Sequence, residues 1–222
     1  MPKLKILLGN KNYSSWSLRP WVLLKQLAVP FEERVIPLDQ PTTSEEIGKY
    51  SPSGRLPLLI DGETTVWDSL AICEYLNELF PDRKLWPADS KARATARSIS
   101  AEMHSGFAAV RQNLPMKFRE SFPNTRLQPE VKAEVARILE IWNDCRRRFG
   151  AGGPFLFGAF TIADAMYAPV VSRFKTYAVP LEGSAADYAE TIWKLPQIQE
   201  WLAAARAETH RIARYEAPAQ KQ

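Results

Sequence analysis

Tyr13, Ser14, Ser15, Trp16 and Ser17 set three serine hydroxyls and a phenol where one apolar stretch ends and the next begins. The stretch before them, residues 4–8, reads as a strand. The one after them, residues 21–27, reads as a helix. A strand-to-helix junction early in an α/β unit is where such folds bind ligands. The start of a helix carries unpaired N–H donors and a partial positive charge, so it suits an anion, and a thiolate is an anion. Pro20 constrains where that helix starts, because proline is tolerated only in the first turn without loss of a backbone hydrogen bond. This favours Ser17 as the N-cap and leaves Ser14 and Ser15 free upstream of the helix. Cys73 and Cys145 are far apart, with no Cys-x-x-Cys, and both fall inside helical patterns. They read as small buried hydrophobes. With His104 and His210 as the only histidines, no metal site is expected.

The elements that must hold these residues follow in order. Residues 3–9 form a strand, 17–27 a helix and 31–38 a second strand, completing one βαβ unit. Residues 40–54 contain Pro41, Pro52 and Gly54 and read as loop with one helical turn at most. An apolar strand then runs into Asp61-Gly62, a hairpin signal, and residues 64–67 return. Asp68 and Ser69 open a helix over residues 70–80, with Ile72, Tyr75, Leu76, Leu79 and Phe80 at helical spacing and Pro81 as the stop. These elements make a small α/β domain with a mixed four-stranded sheet over residues 1–81. Residues 82–89 read as a linker, and no strand pattern is found from 90 to 222. That second part contains helices at 90–114, 129–149, 161–177, 185–193 and 196–208. Thr161 and Asp164 fit a capping box. The tail 217–222 is expected to fray.

The bulk properties exclude several classes. The 222 residues carry a net charge of +4, with 45% hydrophobic and 24% charged residues. That balance is ordinary for a globular protein, and no basic run exceeds Arg146-Arg147-Arg148, so nucleic acid is not an expected partner. No apolar run approaches the roughly 18 residues of a membrane span. Met1-Pro2-Lys3 leads straight into a strand without a signal-peptide pattern, so a cytosolic location is expected.

The order of these parts resembles the cytosolic glutathione transferases, and four local motifs carry the resemblance. Ser14-Ser15-Trp16-Ser17-Leu18-Arg19 resembles the serine motif of the zeta class, with Trp16 for a cysteine and Leu18 for a tryptophan. Arg55-Leu56-Pro57 resembles the family's Val-Pro turn, which implies a cis Pro57. Asp68 to Leu76 resembles the Glu/Gln-Ser-x-Ala-Ile-x-x-Tyr-Leu signature, and Phe160 to Asp164 fits the second domain's capping box. The resemblance implies a thioredoxin-like first domain, an all-helical second domain and a symmetric homodimer. It implies an enzyme that ionises the thiol of glutathione, its co-substrate, for attack on a small electrophile. A zeta-like, glutathione-dependent cis-trans isomerase and a non-catalytic binding module are the alternatives.

Site residues follow from the same resemblance. Leu56 would pair its backbone with the cysteinyl residue of glutathione, as in β-augmentation, with Pro57 turning the edge outward. Ser69 would hold the γ-glutamyl carboxylate at a helix N-terminus, and Asp68 the α-amine. Arg55 and Gln40 would reach the glycyl carboxylate. A free thiol titrates near 8.5, and lowering that by about two units takes roughly 2.7 kcal/mol. One charged hydroxyl hydrogen bond, about 1.5–3 kcal/mol, plus a helix end, about 0.3–1 kcal/mol, is enough. The resemblance assigns that donor to Ser14; Ser15 and Tyr13 remain open. Trp16 and the face bearing Met103, His104, Phe107, Ala108 and Arg111 would form the electrophile side. Phe107 and Ala108 read as packing core there; His104 and Arg111 are the polar candidates.

Overall fold

A computed structural model describes residues 3–216; the tail whose fraying is expected lies outside the described residues. The first part contains β1 (Leu4–Leu8), α1 (Ser15–Leu27), β2 (Phe31–Val35), α2 (Thr43–Gly48), β3 (Leu58–Asp61), β4 (Thr64–Trp67) and α3 (Ser69–Leu79). The sheet order is β2-β1-β3-β4; β1 and β2 run parallel, while β3 pairs antiparallel with both β1 and β4. Asp61 and Thr64 face each other across the hairpin, and Gly62 takes the left-handed conformation (φ 58°) that its turn requires.

Side-chain alternation along β1 divides the core. Leu4, Ile6 and Leu8 join Leu18, Trp21 and Ile72 of α1 and α3 in the main core. Leu7 points to the opposite face, where Leu58, Ile36 and Ile47 of α2 cover it. The one-turn helix allowed within residues 40–54 is therefore α2, held by Ile47.

The second part is helical: α4 (Ser90–Ser105), α5 (Ala108–Asn113), α6 (Pro129–Phe149), α7 (Ile162–Thr176), α8 (Gly183–Trp193), α9 (Pro196–Ala207) and α10 (Ala213–Glu216). The helix expected over residues 90–114 is broken in two. Gly106 is extended and Phe107 is left-handed (φ 56°), a conformation that β-carbon-bearing residues adopt at a cost. A Cβ on Gly106 would lie 2.8 Å from the Glu102 carbonyl oxygen, so glycine fits this bend. Phe107 is buried as expected, but Ala108 is exposed.

The centre of the second part is α7, apolar on nearly every side. Its start is closed by the capping box. Asp164 Oδ2 accepts from the Thr161 N–H (2.7 Å) and hydroxyl (2.9 Å), and Oδ1 accepts from the Leu156 N–H (3.1 Å). From there α7 runs past α1 in the opposite sense: Arg19 of α1 reaches the Met166 carbonyl, and Arg173, two turns further on, reaches Ser15. That packing carries a residue of the helical part to the start of α1.

Candidate functional site

A cleft of about 620 Å³ opens where the two parts meet. One wall is Tyr13, Ser14, Ser15 and Trp16, with Arg55 and Leu56 ahead of β3. The facing wall is Arg111 and Gln112 of α5, Pro115 and Met116 after it, Arg173 of α7 and Tyr215 of α10. The volume is in the range of small-molecule sites.

The cap of α1 is Ser14, not Ser17. Ser14 Oγ accepts from the Ser17 N–H (3.4 Å) and donates to Ser17 Oγ (2.7 Å). Ser17 Oγ also accepts from the Gly9 N–H at the end of β1 (3.0 Å), which fixes the strand-to-helix turn. Pro20 consequently sits inside α1, where it removes one helical hydrogen bond. The hydroxyl expected to be free at Ser14 is thus engaged in capping. Ser15 differs: its Oγ accepts from Arg173 Nη2 (3.2 Å), and its proton is not committed to any described group. Tyr13 is held elsewhere. Its phenol donates to Glu216 (2.5 Å) and accepts from Arg119 (3.0 Å). Burial first, and then the Glu216 contact, pushes its pKa upward.

Trp16 lies between cations. The Arg19 guanidinium is 4.2 Å and that of Arg111 5.0 Å from its ring, and His104 meets it edge-on at 5.2 Å. Arg19 is fully buried, and two of its nitrogens have no hydrogen-bond partner among the described residues. Burial, and then the charges of Arg173 and Arg111, push its pKa down to about 9, so it remains a cation at neutral pH. Arg111 donates to the carbonyls of His104 (3.1 Å) and Gly106 and lines the cleft.

His104 keeps its expected contact with Trp16 and also reaches Asp68. The break at Gly106 separates it from Arg111, and its Nε2 lies 3.2 Å from the Asp68 carboxylate. It does not line the cleft. Its Nδ1 is buried without a partner. Burial dominates in lowering its pKa, with Arg19 and Arg111 adding to that and Asp68 opposing it.

The remaining expected residues fall as follows. The Leu56–Pro57 peptide is cis. Leu56 lines the cleft just outside the sheet ladder, while Pro57 is buried behind it. Arg55 lines the cleft, and its backbone is pinned by Ser51 Oγ (2.9 and 3.3 Å). Asp68 caps α3 by accepting from the Leu70 N–H (2.8 Å). Ser69 is 1% exposed, and its hydroxyl has no partner among the described residues. Neither Asp68 nor Ser69 lines the cleft; both sit at the start of α3. Gln40 is exposed and turns to the His210 ring (3.0 Å). Cys73 and Cys145 are buried; burial raises both thiols, that of Cys145 to about 12.

Sequence reasoning missed Arg173, Arg19 and Tyr215 as parts of this site. Arg173 is one of two basic residues in the last turn of α7, a pattern that reads as ordinary helix-end chemistry. Tyr215 carried no signal.

Comparison with known proteins accords with this geometry. Residues 13–79 match the family described as glutathione S-transferase, N-terminal domain, and residues 104–204 match glutathione S-transferase, C-terminal domain. The chain is 29% identical over 163 residues to the glutathione S-transferase GstA of Escherichia coli O157:H7, covering 69% of this chain and 75% of that one. It is 34% identical over 92 residues to a probable maleylacetoacetate isomerase of Caenorhabditis elegans, covering 41% and 42%. A crystal structure of a glutathione transferase homologue from Burkholderia GL BGR1 with bound glutathione superimposes with a TM-score of 0.70 at 23% identity, covering 93% of this chain and 100% of that one. Sheet, helices and matched segments agree in order and extent: the chain belongs to the glutathione S-transferase family.

Proposed function

We propose that the cleft binds glutathione and lowers the pKa of its thiol for attack on a small electrophile, the chemistry of a glutathione transferase. The observation that carries this reading is the wall at the start of α1. There Ser14 and Ser15 line the same cavity as Leu56, with Arg55, Arg111 and Arg173, none of which forms an ion pair among the described residues. Deprotonation of the thiol breaks the S–H bond and releases the proton to water. The thiolate left behind is held by a hydroxyl donor, a helix end and nearby positive charge, and no general base is needed.

Glutathione's own charges fit the rest of the site. Arg55 is available to the glycyl carboxylate and the Leu56 backbone to the cysteinyl residue. The unpartnered Ser69 hydroxyl at the start of α3 suits the γ-glutamyl carboxylate, and the Asp68 carboxylate suits the α-amine. Trp16 and Arg111 form the electrophile side of this reading. His104 belongs to the same side through its edge-on contact with Trp16, with Asp68 at its Nε2. The boundary at residues 82–89, a homodimer and a cytoplasmic location belong to the same reading; no described helix is long and apolar enough to cross a membrane. The zeta-like isomerase alternative has support from a shorter matched stretch.

Calorimetric titration with glutathione tests the reading, followed by turnover of a panel of electrophiles with and without it. Saturable binding and glutathione-dependent turnover are expected. Absence of binding overturns it.

A further inference from the structure

Arg173 is a buried cation that no described carboxylate neutralises. It is 4% exposed, and all its described partners are neutral: Nε donates to the Leu114 carbonyl (2.9 Å), Nη1 to the Pro169 carbonyl (3.5 Å) and Nη2 to Ser15 Oγ (3.2 Å). A buried arginine ordinarily sits in an ion pair, because the cost of desolvating a lone charge is several kcal/mol. Three directed hydrogen bonds hold this one, and its planar fork defines where it points. Burial, followed by the positive charge of Arg111, pushes its pKa down to about 10, which leaves it charged at neutral pH. The groups facing it are Arg111 of α5, Ser15 of α1, and the Tyr177 and Tyr215 phenols, with Arg19 in the same cluster. Arg111 and Arg19 bring further positive charge to this cluster, opposed by Asp68 acting on Arg19 and by Glu134 acting on Arg111.

A serine hydroxyl has one proton and two lone pairs. Ser14 uses its proton on Ser17 and accepts from the Ser17 N–H. Ser15 has a lone pair fixed by a cation, which polarises the O–H bond and leaves the proton to be donated elsewhere. Both residues line the cleft, as does Arg173.

We propose that Arg173 is the positioning residue for thiol activation. It holds Ser15 Oγ as an acceptor so that the Ser15 hydroxyl proton, not that of Ser14, is presented to the glutathione sulfur, and its unneutralised charge stabilises the thiolate. The inference rests on the glutathione reading and goes beyond it by adding a residue from the helical part and choosing between the two serines. The balance is simple: the S–H bond breaks, its proton leaves to solvent, and the thiolate accepts the Ser15 O–H.

The test is the thiolate ultraviolet absorbance of the glutathione complex, titrated with pH for wild type, Arg173→Gln, Arg173→Lys, Ser15→Ala and the Arg173→Gln/Ser15→Ala double variant. Arg173→Gln is expected to raise the bound thiol's pKa by about one unit, a tenfold loss of thiolate in the acidic limb. The same tenfold loss should be seen in kcat/KM there, with glutathione affinity changed far less. Arg173→Lys, which keeps the charge but not the fork that holds Ser15, should recover only part of the shift. The double variant should shift by less than the sum of the singles, because Arg173 acts through Ser15. A strictly additive double variant overturns that route, and an Arg173→Gln complex that titrates like wild type overturns the proposal. Where Arg173→Gln does not fold, Ser15→Ala decides: an unshifted thiol in its complex overturns the proposal. Calorimetry on the wild type separates the two levels. No glutathione binding removes the function and the proposal together, whereas binding with an Arg173-independent thiol removes the proposal alone.

Discussion

The starts of α1 and α7 each carry a hydroxyl residue at the cap, and the two beginnings have opposite fates. At the start of α7, Asp164 accepts three hydrogen bonds from Thr161 and Leu156, all of them buried. Nothing there remains to be offered to a ligand. At the start of α1, Ser14 closes the cap through Ser17, but Ser15 faces the cleft with a cation behind it and an uncommitted proton. Capping chemistry at α7 holds a fold together. At α1 the same chemistry is split between two serines, one structural and one open to substrate. A buried hydroxyl whose partners are all internal is structure; one that keeps a donor facing a cavity is a candidate for chemistry.

The comparison is broken most severely at α7. Asp164→Ala leaves three buried donors without an acceptor and is expected to cost about 3 kcal/mol or more in unfolding free energy. Denaturant titration measures this. A loss below about 1 kcal/mol would mean that the box is not the structural counterpart described here.

Ser69→Ala tests the other extreme, a hydroxyl with no internal partner. Glutathione affinity is expected to fall by roughly 1–3 kcal/mol, the range for a hydrogen bond to a charged group, with no matching loss of stability. Calorimetry and thermal unfolding read the two effects separately. Destabilisation with intact affinity would make Ser69 structural.

Ser14→Ala sharpens the split between the serines. Loss of an N-cap costs about 1 kcal/mol, so stability should fall by that order while the bound thiol's pKa moves less than in Ser15→Ala. Equal thiol shifts in the two variants would erase the distinction.

The smallest effect concerns His104. Its folded pKa lies below the ordinary value near 6.5, so the folded chain takes up this proton less readily than the unfolded one. Acid therefore favours unfolding through this group. Its contribution is fully present above about 6.5 and is lost as pH falls through that value toward the lower folded pKa. Unfolding measured against pH should show wild type losing more stability than His104→Gln over that window. Parallel curves would contradict this.

How much of this was legible in the sequence varies with how local the cause is. Pro129 at the first helical position and Gly150 past the last bracket α6 as expected. The hairpin at Asp61-Gly62 and the Thr161–Asp164 box are likewise short-range signals that stand. The cap of α1 was misplaced because the proline rule is a local preference. A tertiary bond from the Gly9 N–H to Ser17 Oγ outweighs it and starts the helix at Ser15. The break at Gly106 was hidden in a continuous helical pattern; across it His104 and Arg111 both meet the Trp16 ring, but only His104 also reaches Asp68. Arg173 lies 158 residues from Ser15, and only the packing of α7 on α1 brings them together. The serine pair, Leu56 and Arg55 could be read from motifs; the charge behind them required the fold.

The most direct test of the central claim, that the wall at the start of α1 ionises a bound thiol, is the pH titration of thiolate absorbance in the wild-type glutathione complex. The account predicts an apparent pKa about two units below the roughly 8.5 of a free thiol. A bound thiol that still titrates near 8.5 would contradict it.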